Sequence, residues 1–142
     1  MWTFGGLMVP FLKYPGGKRL LAERILDLLT PSGEVPTTLY EPFLGAGAVA
    51  LAALERWPNV QVWGSDAAKP LTDTWNAVLR VPNMVAAVLD DLTEDPCTEA
   101  RYYELRARYN NFPLCWDAPG LAERAALAIY LNRAGFNGLW RF

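Results

Sequence analysis

A glycine-rich segment carries the residue types that often bind nucleotides. Residues 45–50 match the pattern of Gly, any residue, Gly, two more residues, then Gly or Ala, with Asp66 about twenty positions further on. Gly45 and Gly47 lack side chains where the backbone must turn sharply near a ligand, and Ala50 lets a helix pack close to a strand. Asp66 would accept hydrogen bonds from both hydroxyls of a ribose. The pattern predicts a nucleotide or nucleoside site; the alternative is a tight strand-to-helix turn with a helix-capping aspartate.

Glu41, just ahead of this turn, favours one kind of ligand over another. A dinucleotide brings a pyrophosphate, which a carboxylate at this place would repel. S-adenosylmethionine has no phosphate and carries a sulfonium and an ammonium group, which the same carboxylate would attract. The sequence therefore favours the methyl donor, with the alternative that Glu41 only caps backbone groups.

Two further segments hold candidate ligand-binding residues. Lys13 and Lys18 flank Tyr14 and a Gly-Gly pair ahead of a helix, so ammonium groups, a ring and backbone N–H groups would converge on one ligand; alternatively, the segment is a plain turn. Residues 131–141 end a helix and release a loop of Arg, Asn and aromatic residues, which contact phosphates, read base edges and wedge between base pairs. The alternative for this loop is a glycine-terminated helix whose aromatic side chains lie in the core.

A run of arginines and tyrosines between these segments also has two interpretations. It is either a DNA-facing patch or a solvated helix face with an aromatic stripe in the core, and the second is favoured without other evidence. The residues concerned are Arg101, Tyr102, Tyr103, Arg106, Arg108 and Tyr109.

The composition excludes several classes of chemistry. There is no histidine, which removes Ser-His-Asp triads, Cys-His pairs and histidine metal ligands. Cys97 and Cys115 lie far apart, so neither a disulfide scaffold nor a metal cluster is expected. Catalysis would have to use carboxylates, lysine, backbone groups or a cofactor.

Length and hydropathy predict a packed chain. The 142 residues are 52% hydrophobic and 20% charged, which fits one domain and excludes intrinsic disorder. The net charge of −2 does not by itself announce a nucleic-acid binder. The uncharged stretch at residues 1–12 is too short to span a bilayer, so we expect a soluble, cytoplasmic protein without membrane contact.

Hydrophobic spacing and turn residues predict the elements that position these candidates. Residues 37–40, 48–57 and 60–63 form a strand, a helix and a second strand, which together make one βαβ unit with a parallel strand pair. Buried stripes are predicted on two flanking helices, one over residues 19–29 and one opened by Pro70. The stripe residues are Leu21, Ile25, Leu28 and Leu29 on the first helix, and Leu71, Trp75, Val78 and Leu79 on the second. Further helices are predicted near residues 83–92, 99–110 and 119–133.

Four segments resemble the DNA adenine-N6 methyltransferases of the D12 class, GATC-type, in the right order. Residues 11–18 are similar to the family's Phe-Leu-Lys-Trp-Ala-Gly-Gly-Lys, residues 41–47 to its Glu-Pro-Phe-x-Gly-x-Gly, and residues 102–106 to its Tyr-Tyr-x-x-Arg helix. Residues 128–141 resemble its Leu-Asn-Arg-x-Gly-Phe/Tyr-Asn-Gly-x-x-Arg block. The resemblance implies an α/β chain with a partial Rossmann-like S-adenosylmethionine methyltransferase fold in residues 1–82 and a helical DNA-recognition segment in residues 83–142.

The resemblance also implies the site residues. The S-adenosylmethionine site would be lined by Tyr14, Lys18, Glu41, Phe43, Gly45, Gly47 and Asp66. Duplex DNA would be contacted by Lys13, Arg106, Arg133, Phe136, Asn137, Leu139 and Arg141. Arg106 and Arg133 would hold phosphates, Phe136 would enter the base stack, and Lys13 and Arg141 would contact target bases, with GATC as the first guess for the target.

The sequence departs from the family at three places. Tyr14 stands where tryptophan is frequent, which keeps stacking possible, and Ala68 stands where an asparagine is common. The family's Asp-Pro-Pro-Tyr segment, which holds the amino group of a flipped adenine, has no counterpart in these 142 residues, and the faint look-alike at residues 95–98 is predicted to be a turn.

We therefore expect no catalytic residue and no metal site in the chain, and no methyl transfer by the chain alone. A two-stranded sheet has open edges and exposed apolar faces, so further strands would come from a C-terminal portion or a second chain, unless the chain is a truncated remnant. The alternatives are a fragment of an NAD-dependent oxidoreductase and a DNA-binding module without catalysis.

Overall fold

Short parallel strands and several amphipathic helices make up the structure, a computed structural model that describes residues 8–113 and 117–138, without the side chain of Asn137. Leu139 and Arg141, both predicted DNA contacts, lie outside the described residues. The chain divides into two compact units, Met1–Ala67 and Ala68–Phe142. The fold is therefore helix-rich with a small parallel sheet.

The first unit contains the predicted βαβ unit. A 3-10 turn at Arg19–Leu21 leads into α1 (Ala22–Leu29), followed by β1 (Thr38–Glu41), α2 (Ala48–Arg56) and β2 (Gln61–Gly64). The strands pair in parallel, with Glu41 opposite Gly64 at their carboxyl ends. The prediction of a parallel pair is confirmed, and both strands end beside the glycine-rich turn.

The core of the first unit lies where α1 and α2 pack together. Ala22 and Leu26 of α1 are buried with Ala53 of α2 and with Trp57. The predicted stripe on α1 is wrong, because Leu21, Leu28 and Leu29 are more exposed than buried and only Ile25 packs partly against the core. The buried residues of α1 are instead Ala22 and Leu26, which lie one helical turn apart on the side that packs against α2.

The second unit is entirely helical. Its helices are α3 (Lys69–Arg80), α4 (Pro82–Glu94), α5 (Glu99–Asn110) and α6 (Ala118–Ala134), followed by a 3-10 turn at Phe136–Gly138. Helix α6 packs against α3, α4 and α5 and is buried continuously from Ala125 to Asn132. Its alanines allow close approach of three neighbours, and an apolar surface all round is typical of a central helix.

The predicted stripe on α3 is correct only in part. Leu71 is buried, but Leu79 is 73% exposed. Thr74 and Ala77 are buried in its place. Thr74 can occupy the core because its hydroxyl donates to the Pro70 carbonyl at 2.7 Å, which satisfies the polar group.

The compact units divide after Ala67, ahead of α3, whereas the predicted boundary between the two portions follows residue 82. Helix α3 belongs with the second unit because it packs on α4 and α6. The functional boundary between cofactor-binding and target-recognition portions stays a prediction. Within the described residues, no helix combines the length and apolar character that crossing a membrane requires.

Candidate functional site

The glycine turn between β1 and α2 adopts a backbone that favours glycine. Gly45 and Gly47 have φ values of 53° and 72°, in the left-handed region. Gly47 is the N-cap of α2, and its N–H donates to the Leu44 carbonyl at 2.7 Å. A Cβ atom on Gly45 would lie 3.4 Å from ring carbons of Tyr14. The left-handed backbone favours glycine at position 45, and the distance to the Tyr14 ring is that of an ordinary van der Waals contact.

Asp66 holds the glycine turn in place. Its Oδ2 accepts a hydrogen bond from the Gly45 N–H at 2.8 Å. The bond joins the end of β2 to the turn after β1, since parallel strands end at the same edge of a sheet. The sequence predicted Asp66 only as a ligand contact or a helix cap, so this structural role was missed.

Glu41 is tied to the start of α2. Its Oε2 accepts a hydrogen bond from the Ala50 N–H at 2.9 Å, so Glu41 does cap a backbone group of α2, and its contact with a ligand stays a prediction. Burial raises the pKa of Glu41 from 4.5 to about 7, and the bond from Ala50 only partly offsets this. The carboxyl group therefore changes its charge near neutral pH, and a nearby cation would favour the ionised form.

The structure brings Tyr14, Glu41, Gly45, Gly47 and Asp66 together around one turn. The remaining predicted cofactor residues are placed differently. Lys18 Nζ donates to the Gly16 carbonyl at 2.7 Å, within its own loop, and Phe43 is largely exposed. These two are therefore not joined to the turn by a described contact.

Gly64 is a structural residue of this turn that the sequence analysis did not single out. A Cβ atom there would lie 2.9 Å from both methyl carbons of Leu44, so any larger residue forces the Leu44 side chain to move. The Leu44 N–H also donates to the Ser65 carbonyl at 2.8 Å. A glycine ending a strand is the signal that would have indicated such a close approach.

The second unit has an open cleft of about 350 Å³ between the start of α5 and the end of α6. Arg106 lines it, and its Nε is buried without a hydrogen-bond partner among residues 8–113 and 117–138. Phe136 lies at the same cleft and is 79% exposed. The other lining residues are Cys97, Thr98, Glu99, Tyr102, Tyr103, Ala134 and Gly135.

The arginines of α5 have different environments. Arg101 forms ion pairs with Glu104 at 3.0 Å and Asp95 at 3.8 Å. Arg108 pairs with Glu123. Of the three arginines in the predicted patch, only Arg106 lines the cleft, together with Tyr102 and Tyr103, and the DNA-facing patch stays a prediction.

The tyrosines follow the alternative interpretation in part. Tyr109 is buried, whereas Tyr103 is exposed. The aromatic stripe therefore reaches the core at one end and the cleft at the other.

The remaining predicted DNA contacts are only partly described. Lys13 lies exposed in the first unit, and Arg133 lies exposed at the end of α6. Asn137 is part of the 3-10 turn, and its side chain is not among the described ones. No group of acidic or cysteine residues within residues 8–113 and 117–138 has the arrangement of a metal site.

Comparison with known proteins gives the family. Residues 14–142 match the model of the D12 class N6 adenine-specific DNA methyltransferases. The DNA adenine methylase of Salmonella typhi is 37% identical over 134 residues, which cover 93% of this chain and 43% of the relative. That of Escherichia coli K12 is 36% identical over 135 residues, with the same shares covered.

A relative from an archaeon is more distant. The Type II methyltransferase M.MjaIII of Methanocaldococcus jannaschii is 30% identical over 142 residues, covering 93% of this chain and 47% of the relative. The chain spans less than half the length of these curated relatives. With the family model matched from Tyr14 to the last residue, the chain belongs to the D12 class of N6 adenine-specific DNA methyltransferases.

Proposed function

We propose that this chain is the cofactor-binding and DNA-recognition portion of an adenine-specific DNA methyltransferase. The whole enzyme would transfer a methyl group from S-adenosylmethionine to N6 of adenine in duplex DNA. One observation carries the proposal: a left-handed glycine turn is tied on both sides to carboxylates, Glu41 and Asp66, in a chain of the D12 class.

The carboxylates fit a cationic nucleoside better than a dinucleotide. Both accept hydrogen bonds from backbone N–H groups of the turn and helix, at Gly45 and Ala50, which are the kind of donors that a pyrophosphate would use. Negative charge at this place attracts the ammonium and sulfonium groups of S-adenosylmethionine. When bound, that cofactor supplies an electrophilic methyl group. The D12 family and this charge pattern together weigh against the NAD-dependent alternative.

Asp66 would combine two tasks. A carboxylate has about four acceptor positions, so one bond from Gly45 is compatible with further bonds from ribose hydroxyls. The same side chain would then fix the turn and read the ribose. Tyr14 would present its ring beside Gly45, and Phe43 and Lys18 complete the proposed cofactor site by family resemblance.

We also propose that the βαβ unit is part of a Rossmann-like fold. In such folds the ligand lies outside the carboxyl ends of parallel strands, which is where the glycine turn and Asp66 lie. Tyr40 and Trp63 stand opposite each other on the sheet and are 72% and 63% exposed. Additional strands or helices, from a further portion of the protein or from a second chain, would cover this face.

The cleft of the second unit would face DNA. Arg106 offers a guanidinium for a phosphate, and the exposed ring of Phe136 would enter the base stack. Arg133 would hold a further phosphate. The DNA roles of Lys13, Asn137, Leu139 and Arg141 are proposed from the family resemblance, with GATC or a relative as the target.

Chemistry at N6 would use the family's Asp-Pro-Pro-Tyr motif, which these 142 residues do not contain. The N6 lone pair is delocalised into the ring, so a carboxylate and a carbonyl must accept its hydrogens while an aromatic ring stacks on the base. The Asp-Pro-Pro-Tyr segment would supply them, and it is not present in this sequence. We propose that this polypeptide binds cofactor and DNA but does not itself transfer the methyl group. The whole enzyme would act on DNA in the cytoplasm, in a restriction-modification system or otherwise.

Calorimetry with the purified chain tests the proposal. S-adenosylmethionine and sinefungin are expected to bind, and NAD is expected not to. In parallel, a fluorescent GATC duplex is expected to bind more tightly than a scrambled duplex, and incubation with labelled methyl donor is expected to leave the DNA unlabelled. Binding of NAD without binding of S-adenosylmethionine would refute the cofactor assignment, and label on adenine would refute the claim that the chain alone is inactive.

A further inference from the structure

Asn132 is a buried polar residue in an otherwise apolar part of helix α6. Its side chain is 2% exposed, and Leu131 and Tyr130 beside it are buried. Its Nδ2 donates to the Gly138 carbonyl at 3.0 Å. Burying a carboxamide costs free energy unless its polar atoms form hydrogen bonds. The contact therefore stabilises the buried Asn132 side chain and at the same time holds the Gly138 carbonyl.

The turn that this bond reaches is weakly closed by its own backbone. Helix α6 ends with the Gly135 N–H donating to the Leu131 carbonyl at 2.8 Å. The next bond, from the Gly138 N–H to the Gly135 carbonyl, is long at 3.4 Å. Gly138 is buried and has a φ of 66°, which favours glycine. Of the two hydrogen bonds described for Gly138 within residues 8–113 and 117–138, the contact from Asn132 is the shorter.

Phe136 lies between these two fixed points. Its ring is 79% exposed, so packing does little to orient it. The backbone of residues 135–138, whose ends are held at Gly135 and Gly138, sets the position and the Cα–Cβ direction of Phe136. Fixing Gly138 therefore narrows the region of space that the Phe136 ring can reach.

We propose that Asn132 is a positioning residue for DNA recognition, which sets the turn that presents Phe136. The inference rests on the proposed DNA-binding function of this loop. Asn132 need not touch DNA: it acts through the Gly138 carbonyl. Its removal would loosen the turn and lower the preference for the target sequence, while the first unit would bind cofactor as before.

Hydrogen exchange measured by mass spectrometry tests the bond directly. Asn132→Asp keeps the shape of the side chain but places an acceptor against a carbonyl oxygen, and Asn132→Leu removes the donor. Both are expected to speed exchange in the peptide containing residues 135–138 roughly tenfold, as loss of a buried hydrogen bond predicts. Unchanged exchange in both variants would overturn the inference, whether or not the chain binds DNA.

Two further variants separate positioning from loss of folding. Thr74→Val removes a different buried polar group of the same unit, the hydroxyl of a residue that is 2% exposed. It is expected to lower the melting temperature without changing exchange in residues 135–138. Gly138→Ala disturbs the other end of the bond and leaves the core side chain intact. It is expected to reproduce the faster exchange, and exchange at the wild-type rate would contradict the proposed geometry.

Binding of duplexes then tests the functional consequence. The Asn132 variants are expected to lose roughly tenfold in the ratio of affinities for GATC and scrambled duplexes, with the affinity for S-adenosylmethionine within twofold of wild type. If the wild-type chain shows no preference for a GATC duplex, GATC fails as the target, and if it binds no duplex at all, the proposed DNA-binding function fails; in either case the exchange result still decides the role of Asn132 in the turn. If the wild type discriminates and the loosened variants do so equally well, the positioning role fails.

Discussion

The glycine turn of the first unit and the Phe136–Gly138 turn of the second, proposed to contact DNA and called the recognition turn, are held by hydrogen bonds of opposite direction. In the first, the carboxylates of Glu41 and Asp66 accept hydrogen bonds from backbone N–H groups. In the second, the carboxamide of Asn132 donates to a backbone carbonyl. Arg106 lines the adjacent cleft, and Arg133 follows Asn132 at the end of α6. Under the proposed function, a chain with a net charge of −2 would offer negative charge to a cationic cofactor at one turn and positive charge to DNA near the other.

Replacing Asp66 should give the largest difference between the two regions, because it should weaken cofactor binding and leave DNA binding unchanged. Asp66→Asn sets an amide against the Gly45 N–H and removes the charged acceptor for the ribose. The affinity for S-adenosylmethionine is expected to fall roughly a hundredfold, because hydrogen bonds to charged groups each contribute about 1.5–3 kcal/mol. Calorimetry measures the loss, and DNA affinity should stay at the wild-type value.

A matched control is available in Asp73, which forms an ion pair with Lys69 in the second unit at 2.7 Å. Asp73→Asn is expected to leave cofactor binding unchanged. Equal losses in both variants would mean that general destabilisation, and not the turn, explains the effect.

Enlarging Gly45 should weaken cofactor binding by a smaller factor. Gly45→Ala forces a Cβ atom into a left-handed backbone and to within 3.4 Å of the Tyr14 ring. We expect a destabilisation of about 1–2 kcal/mol and a loss of cofactor affinity of roughly tenfold to thirtyfold. Thermal unfolding and calorimetry on the same samples report the two effects.

Gly33 isolates the part due to backbone strain, because its φ is 74° but no atom lies within 4 Å of a Cβ built there. Gly33→Ala is expected to lower the melting temperature and to spare cofactor binding. An equal loss of cofactor affinity in Gly33→Ala and Gly45→Ala would show that destabilisation by backbone strain, and not the contact with Tyr14, explains the effect at Gly45.

Cofactor binding should depend on pH through Glu41. Its pKa is raised to about 7 by burial, so the carboxyl group is mostly neutral at pH 6 and mostly ionised at pH 8. The affinity for S-adenosylmethionine is expected to rise by up to about tenfold across this range, whereas adenosine, which has no ammonium or sulfonium group, should bind almost equally at both values. A slope that survives in Glu41→Gln would exclude this residue as the titrating group.

The same pKa shift predicts the opposite trend for stability. A carboxyl group whose folded pKa lies above its unfolded value favours the folded state when protonated. Its contribution to the free energy of unfolding should be largest below pH 4.5 and decline as pH rises from there through about 7. The difference between wild type and Glu41→Gln in urea titrations at several pH values measures this contribution.

The smallest effect is expected from single arginines of α5. Arg106→Ala should reduce duplex affinity about threefold to tenfold, lower the salt dependence of binding by about one phosphate contact, and leave sequence preference unchanged. Arg108→Ala is the matched control, since Arg108 pairs with Glu123 away from the cleft lining. Equal losses at both positions would contradict the assignment of the cleft as the DNA-facing side.

The sequence predicts the elements well because their signals are local. Proline and glycine mark the helix limits, and the strands β1 and β2 lie within one residue of the predicted bounds. Which helix faces are buried is less predictable. On α1, packing against α2 buries Ala22 and Leu26 and leaves Leu28 and Leu29 exposed, a choice that depends on the neighbouring helix and not on spacing alone.

The candidate site is predictable in its residue types but not in its bonds. Glycine spacing indicates the turn, yet the bond from Gly45 to Asp66 depends on both strands ending at one edge in a particular register. Likewise, the sequence shows the i,i+3 spacing of Arg101 and Glu104 on α5, but not the pairing of Arg108 with Glu123 of α6. Pairing between separate elements determines the contacts of Gly45 and Arg108, and local spacing does not specify it.

Helix α6 links the interior of the second unit to the recognition turn. It continues unbroken from the buried Ala126 to Asn132, a distance of about 9 Å at the usual helical rise. A bulkier side chain at Ala126, which is fully enclosed, would shift the helix and carry Gly138 and Phe136 with it. Under the proposed DNA-binding role, substitutions in the interior of the second unit would alter the preference for a DNA sequence without changing any surface residue.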